Sequence, residues 1–283
     1  MNSDAARLGI SQSTTAAWTL AEDVRAYSQA GVDAIGIWIH KLERNTITDF
    51  WYPEQPLDPQ VVAHAGTTIA ASGLAVSHLV LAGRYTETDP DLRARRIAYT
   101  SSALEWAELV RSPCLVVVPG NLNGQSRSRA LDMAAAALTE VLSRSEGSRV
   151  ALAVEPIKEV DFITTLDDAL DLVELIDHPR IGVYPDSFQL WRDPGLPDAI
   201  ERAAHRVLGV HIADDDGEAT PTRLPPGEGV VPLVRFVQAV EQTGYHGTYD
   251  VELFTAGSNA TETETILQRC ITGLTTVLAE ALS

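Results

Sequence analysis

Eight times along the chain a short, nearly continuous apolar run is followed by a longer segment of helical character, and this alternation constrains the fold more than any other feature. The short runs fall at 8–11, 34–39, 75–81, 115–118, 150–154, 181–184, 207–212 and 248–253. The helical segments fall at 20–30, 58–72, 90–110, 128–144, 166–176, 196–203, 232–243 and 262–282. A strand with one wet face alternates apolar and polar residues. These runs are instead almost unbroken Val, Ile, Leu and Ala, as in strands covered on both sides. Gly31, Gly73 and Gly244 each stand just past a helix, where a left-handed cap suits glycine. Eight β-then-α units predict a single (β/α)8 TIM barrel over residues 1–283, near the roughly 250 residues such barrels use. A doubly wound open sheet is the rival architecture.

Charge narrows the function classes. Asp and Glu total 39 against 21 Lys and Arg, a formal net charge of −18. A nucleic-acid partner needs a cationic surface to displace counterions, and an anionic membrane needs the same, so neither is expected. The first residues carry no basic and apolar leader pattern, and no apolar run approaches the roughly 20 residues of a membrane span. Cys114 and Cys270 lie in an apolar strand and a helix and read as buried free thiols. A cytoplasmic protein is the expectation.

Barrel enzymes place their active sites at the carboxyl ends of the strands. The last four runs each carry a chemically potent residue there: Glu155 in AVEP, Asp186 in VYPD, His211 in VHIAD and Glu252 in DVELF. Three carboxylates at the mouth of a low-dielectric core repel one another unless a cation neutralises them. Three oxygens and one imidazole suit Mn²⁺ best, with Mg²⁺ or Co²⁺ as alternatives and Zn²⁺ less favoured. Asp250 shares the parity of Glu252 and is its rival as ligand; Glu252 lies nearer the rim. His40 and Lys41 follow the second strand, Lys41 reading as a solvated loop cation, and Lys158 stands where it could offset carboxylate charge. The acidic run at 214–216 reads as a solvated turn, and Glu22–Asp23 and Asp167–Asp168 as support for helix starts.

The segments GVDAIGIWIHKL, ASGLAVSHLVLAG, LAVEP, PDSFQLWRDP, VHIAD, RLPPGEGVVPL and GYHGTYDVELF, in that order, resemble the xylose-isomerase-like TIM-barrel superfamily of sugar (phosphate) isomerases and epimerases. The resemblance implies that Glu155, Asp186, His211 and Glu252 hold a divalent metal, and that Glu155 and Glu252 are also the acid and base. It implies proton abstraction beside a carbonyl of a small sugar or keto-sugar, in a chain that associates as a homo-oligomer. His78, Gln189, Arg223 and Asp161 are then candidate substrate contacts, and Trp38, Trp51 and Trp191 candidate walls against sugar C–H faces. Two departures weigh against a plain ketose 3-epimerase. Gln189 stands where family members often carry His, and Arg223 lies further along than the usual arginine. The rival readings are a metal-dependent lyase or dehydratase on a keto-sugar, keto-inositol or 3-keto-glycoside, and a non-catalytic sugar-binding barrel. Phosphodiester hydrolysis, also found in this superfamily, fits poorly with seven His and a −18 charge. With no glycine-rich phosphate loop or clustered arginine pair, a neutral sugar, inositol or glycoside is expected.

Overall fold

All eight apolar runs become strands of one parallel sheet in the computed structural model, which describes residues 7–44, 46–47, 56–255 and 257–283. They are β1 (Arg7–Ser11), β2 (Ala34–Trp38), β3 (Ala75–Gly83), β4 (Cys114–Val118), β5 (Ala151–Val154), β6 (Ile181–Val183) and β7 (Val210–Ile212). After the small antiparallel pair β8 (Asp214–Asp215) and β9 (Arg223–Leu224) comes the last barrel strand, β10 (Thr248–Val251). Hydrogen bonding runs β6-β5-β4-β3-β2-β1-β10-β7. Bridges Val183↔Val207 and Asp186↔His211 join the two ends, where Leu208 and His211 N–H donate to the Val183 and Pro185 carbonyls at 3.0 Å each. The sheet therefore closes into a TIM barrel, which leaves no open edge, and the open-sheet alternative falls.

The outer layer is α1 (Leu20–Ala30), α3 (Pro59–Ser72), α4 (Pro90–Leu109), α5 (Arg127–Arg144), α6 (Leu166–Ile176), α8 (Leu196–Ala203), α9 (Leu233–Gln242) and α10 (Ala260–Ala281). Two shorter helices, α2 (Ile39–Arg44) and α7 (Ser187–Leu190), follow β2 directly and β6 after three residues. The ends form as local chemistry dictates. Thr19 and Glu22 make a reciprocal capping box at the start of α1, and Gly31 closes it at φ 76°.

Period-two alternation sorts each strand between two cores. Leu115 and Val117, Leu152 and Val154, Ile181 and Val183, Val210 and Ile212, and Tyr249 and Val251 face outward into the large core shared with the helices. Trp38, Val80, Cys114, Val116, Ala153 and Tyr184 face inward and fill the barrel. Continuing the inward parity places Glu155 after Ala153, Asp186 after Tyr184, His211 between Val210 and Ile212, and Glu252 after Asp250. Their placement follows from the same alternation that builds the core.

Three charged segments depart from the sequence expectations. Lys41 is no loop cation. It lies on α2, fully buried, with Nζ 2.7 Å from the equally buried Asp23. Gln12 Nε2 and Thr15 Oγ1 donate to the same carboxylate at 2.8 and 2.6 Å. Asp23 is thus an internal ion-pair partner, while Glu22 alone serves the cap. The run at 214–216 is also no solvated turn, because Asp214 and Asp215 are buried. Asp214 accepts from the N–H groups of Gly227 and Val231, and Asp215 from Trp191 Nε1 and Gly217 N–H. A charge read in its local sequence looks solvated; here partners distant in sequence satisfy it.

Candidate active site

Glu155, Asp186, His211 and Glu252 stand at consecutive positions around the barrel, and their ligand atoms all lie within 4.8 Å of one another. His211 Nδ1 is 2.8 Å from Glu155 Oε1 and 3.5 Å from Glu252 Oε2. Asp186 and His211 are fully enclosed, whereas Glu155 and Glu252, at 4% and 3% exposure, border a cavity of about 580 Å³. The arrangement separates two enclosed side chains from two that face the cavity.

Arg223 is the counterweight to these acids. Its NH2 reaches Asp186 Oδ2 at 2.7 Å, and its NH1 donates to the Glu252 carbonyl at 3.1 Å and lies 3.5 Å from Glu252 Oε2. Its guanidinium lies 4.5 Å from the Phe188 ring centroid and 4.6 Å from that of Phe254. One guanidinium cannot balance three carboxylates. Burial drives the Glu155 carboxyl well above its usual range, with repulsion from Asp186 adding to it. Burial likewise raises Glu252, opposed by His211 and reinforced by Glu155. A divalent cation relieves this strain, and the donor set of three hard oxygens with one imidazole nitrogen fits such an ion.

Beneath the site a buried chain of polar groups holds the imidazole. His211 Nε2 lies 3.3 Å from His78 Nε2. His78 Nδ1 lies 2.9 Å from the Tyr184 hydroxyl and 3.1 Å from Ser77 Oγ, which donates to Asp250. Burial keeps His78 well below the ordinary histidine range, hence neutral, and raises Asp250 to about 7. A neutral His78 that accepts from His211 Nε2–H leaves the Nδ1 lone pair free for a metal. Asp250 joins His78 and His211 in a second close-set group and does not reach the rim, so Glu252 is the strand's contribution to the upper cluster.

The predicted substrate contacts divide. Trp38, Gln189 and Arg223 line the cavity with the two glutamates. Gln189 Oε1 accepts from Lys158 N–H at 3.0 Å, and Trp38 is anchored from behind by Nε1 donating to Ser11 Oγ at 2.9 Å. Lys158 is turned away, its Nζ donating to the Phe188 carbonyl at 3.0 Å and lying over the Phe188 ring. His78, fully buried behind His211, is not a cavity residue. Asp161 is also absent from the lining; it is exposed and accepts from Leu122 N–H at 2.7 Å. Trp191 is tied outside by its indole hydrogen bond to Asp215 at 2.8 Å. Trp51 lies outside the described residues. Sequence reasoning missed Phe188 and Phe254, although each stands two residues beyond a ligand, Asp186 and Glu252. It also missed the cavity's apolar side, formed by Val80, Leu81, Val118, Ile157 and Val160.

Among curated proteins, the chain is 23% identical over 241 residues to the L-ribulose-5-phosphate 3-epimerase UlaE of Salmonella paratyphi A, covering 82% of this chain and 81% of that one. Among solved structures, protein SMc04130 from Sinorhizobium meliloti 1021 superposes with a TM-score of 0.81 at 26% identity, over 95% of this chain and 98% of that one. An IolI protein carrying a zinc atom gives 0.83 at 18% identity, over 97% and 99%. An L-ribulose 3-epimerase gives 0.77 at 18%, over 98% and 95%. Matches at 18% identity speak for the fold alone. The family model described as xylose isomerase-like TIM barrel, however, matches residues 24–271, and the chain belongs to that family.

Proposed function

We propose that this protein is a divalent-metal-dependent sugar isomerase or epimerase that moves a proton at the carbon beside a carbonyl. The observation that carries the reading is the division of the cluster. Asp186 and His211 are enclosed, while Glu155 and Glu252 present carboxylates to the cavity from two different strands. Mn²⁺ is the cation this donor set favours. The family's epimerases, UlaE and L-ribulose 3-epimerase among them, support the sugar chemistry.

Glu155, Asp186, His211 and Glu252 would hold a divalent ion, which would supply positive charge where an oxygen anion develops as the C–H bond breaks, worth several kcal/mol. One glutamate removes the proton as general base, and the other returns one from across the substrate. Both carboxylates border the cavity, so each can reach a bound substrate from its own strand. Return to the same carbon on the opposite face is epimerisation; return to the neighbouring carbon is aldose–ketose isomerisation. Gln189 offers hydrogen bonds but no exchangeable charge, leaving the proton work to the glutamates. Arg223 holds Asp186 and adds positive charge beside the reacting oxygen. Elimination of a β-substituent begins with the same proton loss and is the second reading, favoured by the apolar side of the cavity.

The test is metal analysis followed by NMR of unmodified keto-sugars in deuterated buffer with the Mn²⁺-loaded protein. Deuterium entering beside the carbonyl is expected, with Glu155→Gln and Glu252→Gln each losing at least a hundredfold. Stoichiometric Mn²⁺ binding without any exchange would leave a sugar-binding barrel instead.

A further inference from the structure

The ladder between β1 and β10 ends at the pair Ile10↔Val251, one residue short of Glu252. There the first chain turns, with Thr14 N–H donating to the Ser11 carbonyl at 3.0 Å. The Val251 carbonyl and the Leu253 N–H, the two groups that flank Glu252, point toward β1 where its backbone no longer meets them. The Thr14 hydroxyl meets both. Its Oγ1 donates to the Val251 carbonyl at 2.9 Å and accepts from Leu253 N–H at 2.9 Å. A hydroxyl donates and accepts through one atom, so this side chain stands in for a strand residue opposite Glu252. Thr14 is fully buried.

The opposite edge of the same residue is held as well. Glu252 N–H donates to the Ile212 carbonyl at 3.1 Å, and its own carbonyl accepts from Arg223. Thr14 is itself fixed through its neighbour. Thr15 Oγ1 donates to Asp23 at 2.6 Å, and Lys41 Nζ donates to the Thr15 carbonyl at 2.7 Å. The buried Lys41–Asp23 pair, which the proton chemistry leaves without a task, thus anchors the turn that carries Thr14. Thr255 ties the two segments a second time. Its N–H donates to the Ser13 carbonyl at 3.2 Å, and its Oγ1 lies 3.1 and 3.0 Å from the Ser13 and Thr14 carbonyls. That tie touches neither peptide group beside Glu252.

Resting on the reading of Glu252 given above, we infer that Thr14 is a positioning residue for Glu252, its hydroxyl setting the stretch of backbone from which that carboxylate reaches the cavity. Without the hydroxyl, a buried carbonyl and a buried N–H lose their partner, and they regain one only if residues 251–253 move. A shift of about 1 Å there is enough to spoil both ligand geometry and proton transfer. Glu155 is spared, because it stands on β5 with its N–H bonded to the Val117 carbonyl at 3.1 Å. The effect of Thr14 is therefore confined to one of the two glutamates.

Calorimetric titration of Mn²⁺ into the metal-free full chain tests this, with the visible spectrum of the Co²⁺ form as a second readout. Thr14→Val keeps the side-chain shape and removes the hydroxyl; its Mn²⁺ affinity is expected to fall roughly tenfold, with an altered Co²⁺ spectrum. Thr14→Ser restores the hydroxyl and both wild-type readings. Thr255→Val loosens the same two segments and leaves the affinity within about twofold of wild type, the non-additive case being reserved for residues that act together. In a Glu252→Gln background Thr14→Val adds almost nothing, because the group it positions is already altered; a general loosening multiplies the two losses. Where the Val variant does not fold, Thr14→Cys, with a thiol that bonds more weakly, takes its place with the same expectation. A folded Thr14→Val protein with wild-type affinity and spectrum, or an equal loss in both backgrounds, overturns the proposal and leaves the metal reading standing. A wild-type chain that binds no Mn²⁺ removes that reading, and the proposal with it.

Discussion

Replacing His78 by phenylalanine isolates the contribution of the buried chain beneath the four proposed metal ligands. The larger phenyl ring keeps an aromatic group against Tyr184, whose centroid is 5.2 Å away, at some cost in packing. What disappears is the acceptor 3.3 Å from His211 Nε2, together with the Nδ1 partner of the Tyr184 hydroxyl and Ser77 Oγ. Without it the Nε2–H is buried and unpaired, at a cost of about 1–3 kcal/mol. The imidazole recovers part of that by turning or by moving its proton to Nδ1, the atom that faces Glu155 and Glu252. Either response opposes metal binding, so Mn²⁺ affinity should fall roughly 10–100-fold, the usual loss for such supporting partners. Isothermal titration of the metal-free protein measures the affinity, and the visible spectrum of the Co²⁺ form reports the ligand geometry. His78→Gln, which can place an amide oxygen near the lost nitrogen, should restore most of the affinity. A folded Phe variant with wild-type affinity and an unchanged Co²⁺ spectrum would refute the argument.

Three further outcomes follow from interior contacts. Lys41→Met strands the Asp23 carboxylate in the core and should cost about 3–5 kcal/mol of stability by urea unfolding, with Asp23→Leu added to it restoring most of the loss; a cost below about 1 kcal/mol would contradict the pairing. Gly36→Ala sets a methyl 2.3 Å from His78 Cε1 and 3.0 Å from Asp250 Oδ1, so about 1–3 kcal/mol of destabilisation should accompany a weaker Mn²⁺ isotherm. Burial pushes the Cys114 thiol up to about 12 and also raises Cys270, which leaves roughly one Cys114 in ten thousand ionised at pH 8. Ellman's reagent should therefore find no thiol in the native protein and two after unfolding in guanidinium; rapid native labelling would show that one of them is accessible.

Legibility differed from residue to residue for physical reasons. Glu155, Asp186, His211 and Glu252 could be singled out because each ends an apolar run, and strand parity carries that position straight into the barrel. Arg223 was visible as a motif residue, but its place between Phe188 and Phe254 was not, since those rings come from different strand ends. His78 looked like a substrate contact because its strand points toward the rim. It lies instead at the depth of Asp250 and Tyr184, behind His211. Trp191 and Asp161 read as wall and contact, yet each is taken by a partner distant in sequence, Asp215 and the Leu122 N–H.

By itself the sequence determined the eight β-then-α units, the caps that separate them and the parity that turns the four candidate ligands inward. These properties depend on hydrogen bonds and alternation within a few residues, so they are written locally. Only closure of the barrel decided how deep each inward residue sits, which acids come close enough together to share a cation, and that Lys41 and Asp23 meet in the core. It also set the apolar wall across the cavity from the glutamates. Depth and opposition are distances between strands far apart in the chain, and they acquire values only when the first and last strands meet.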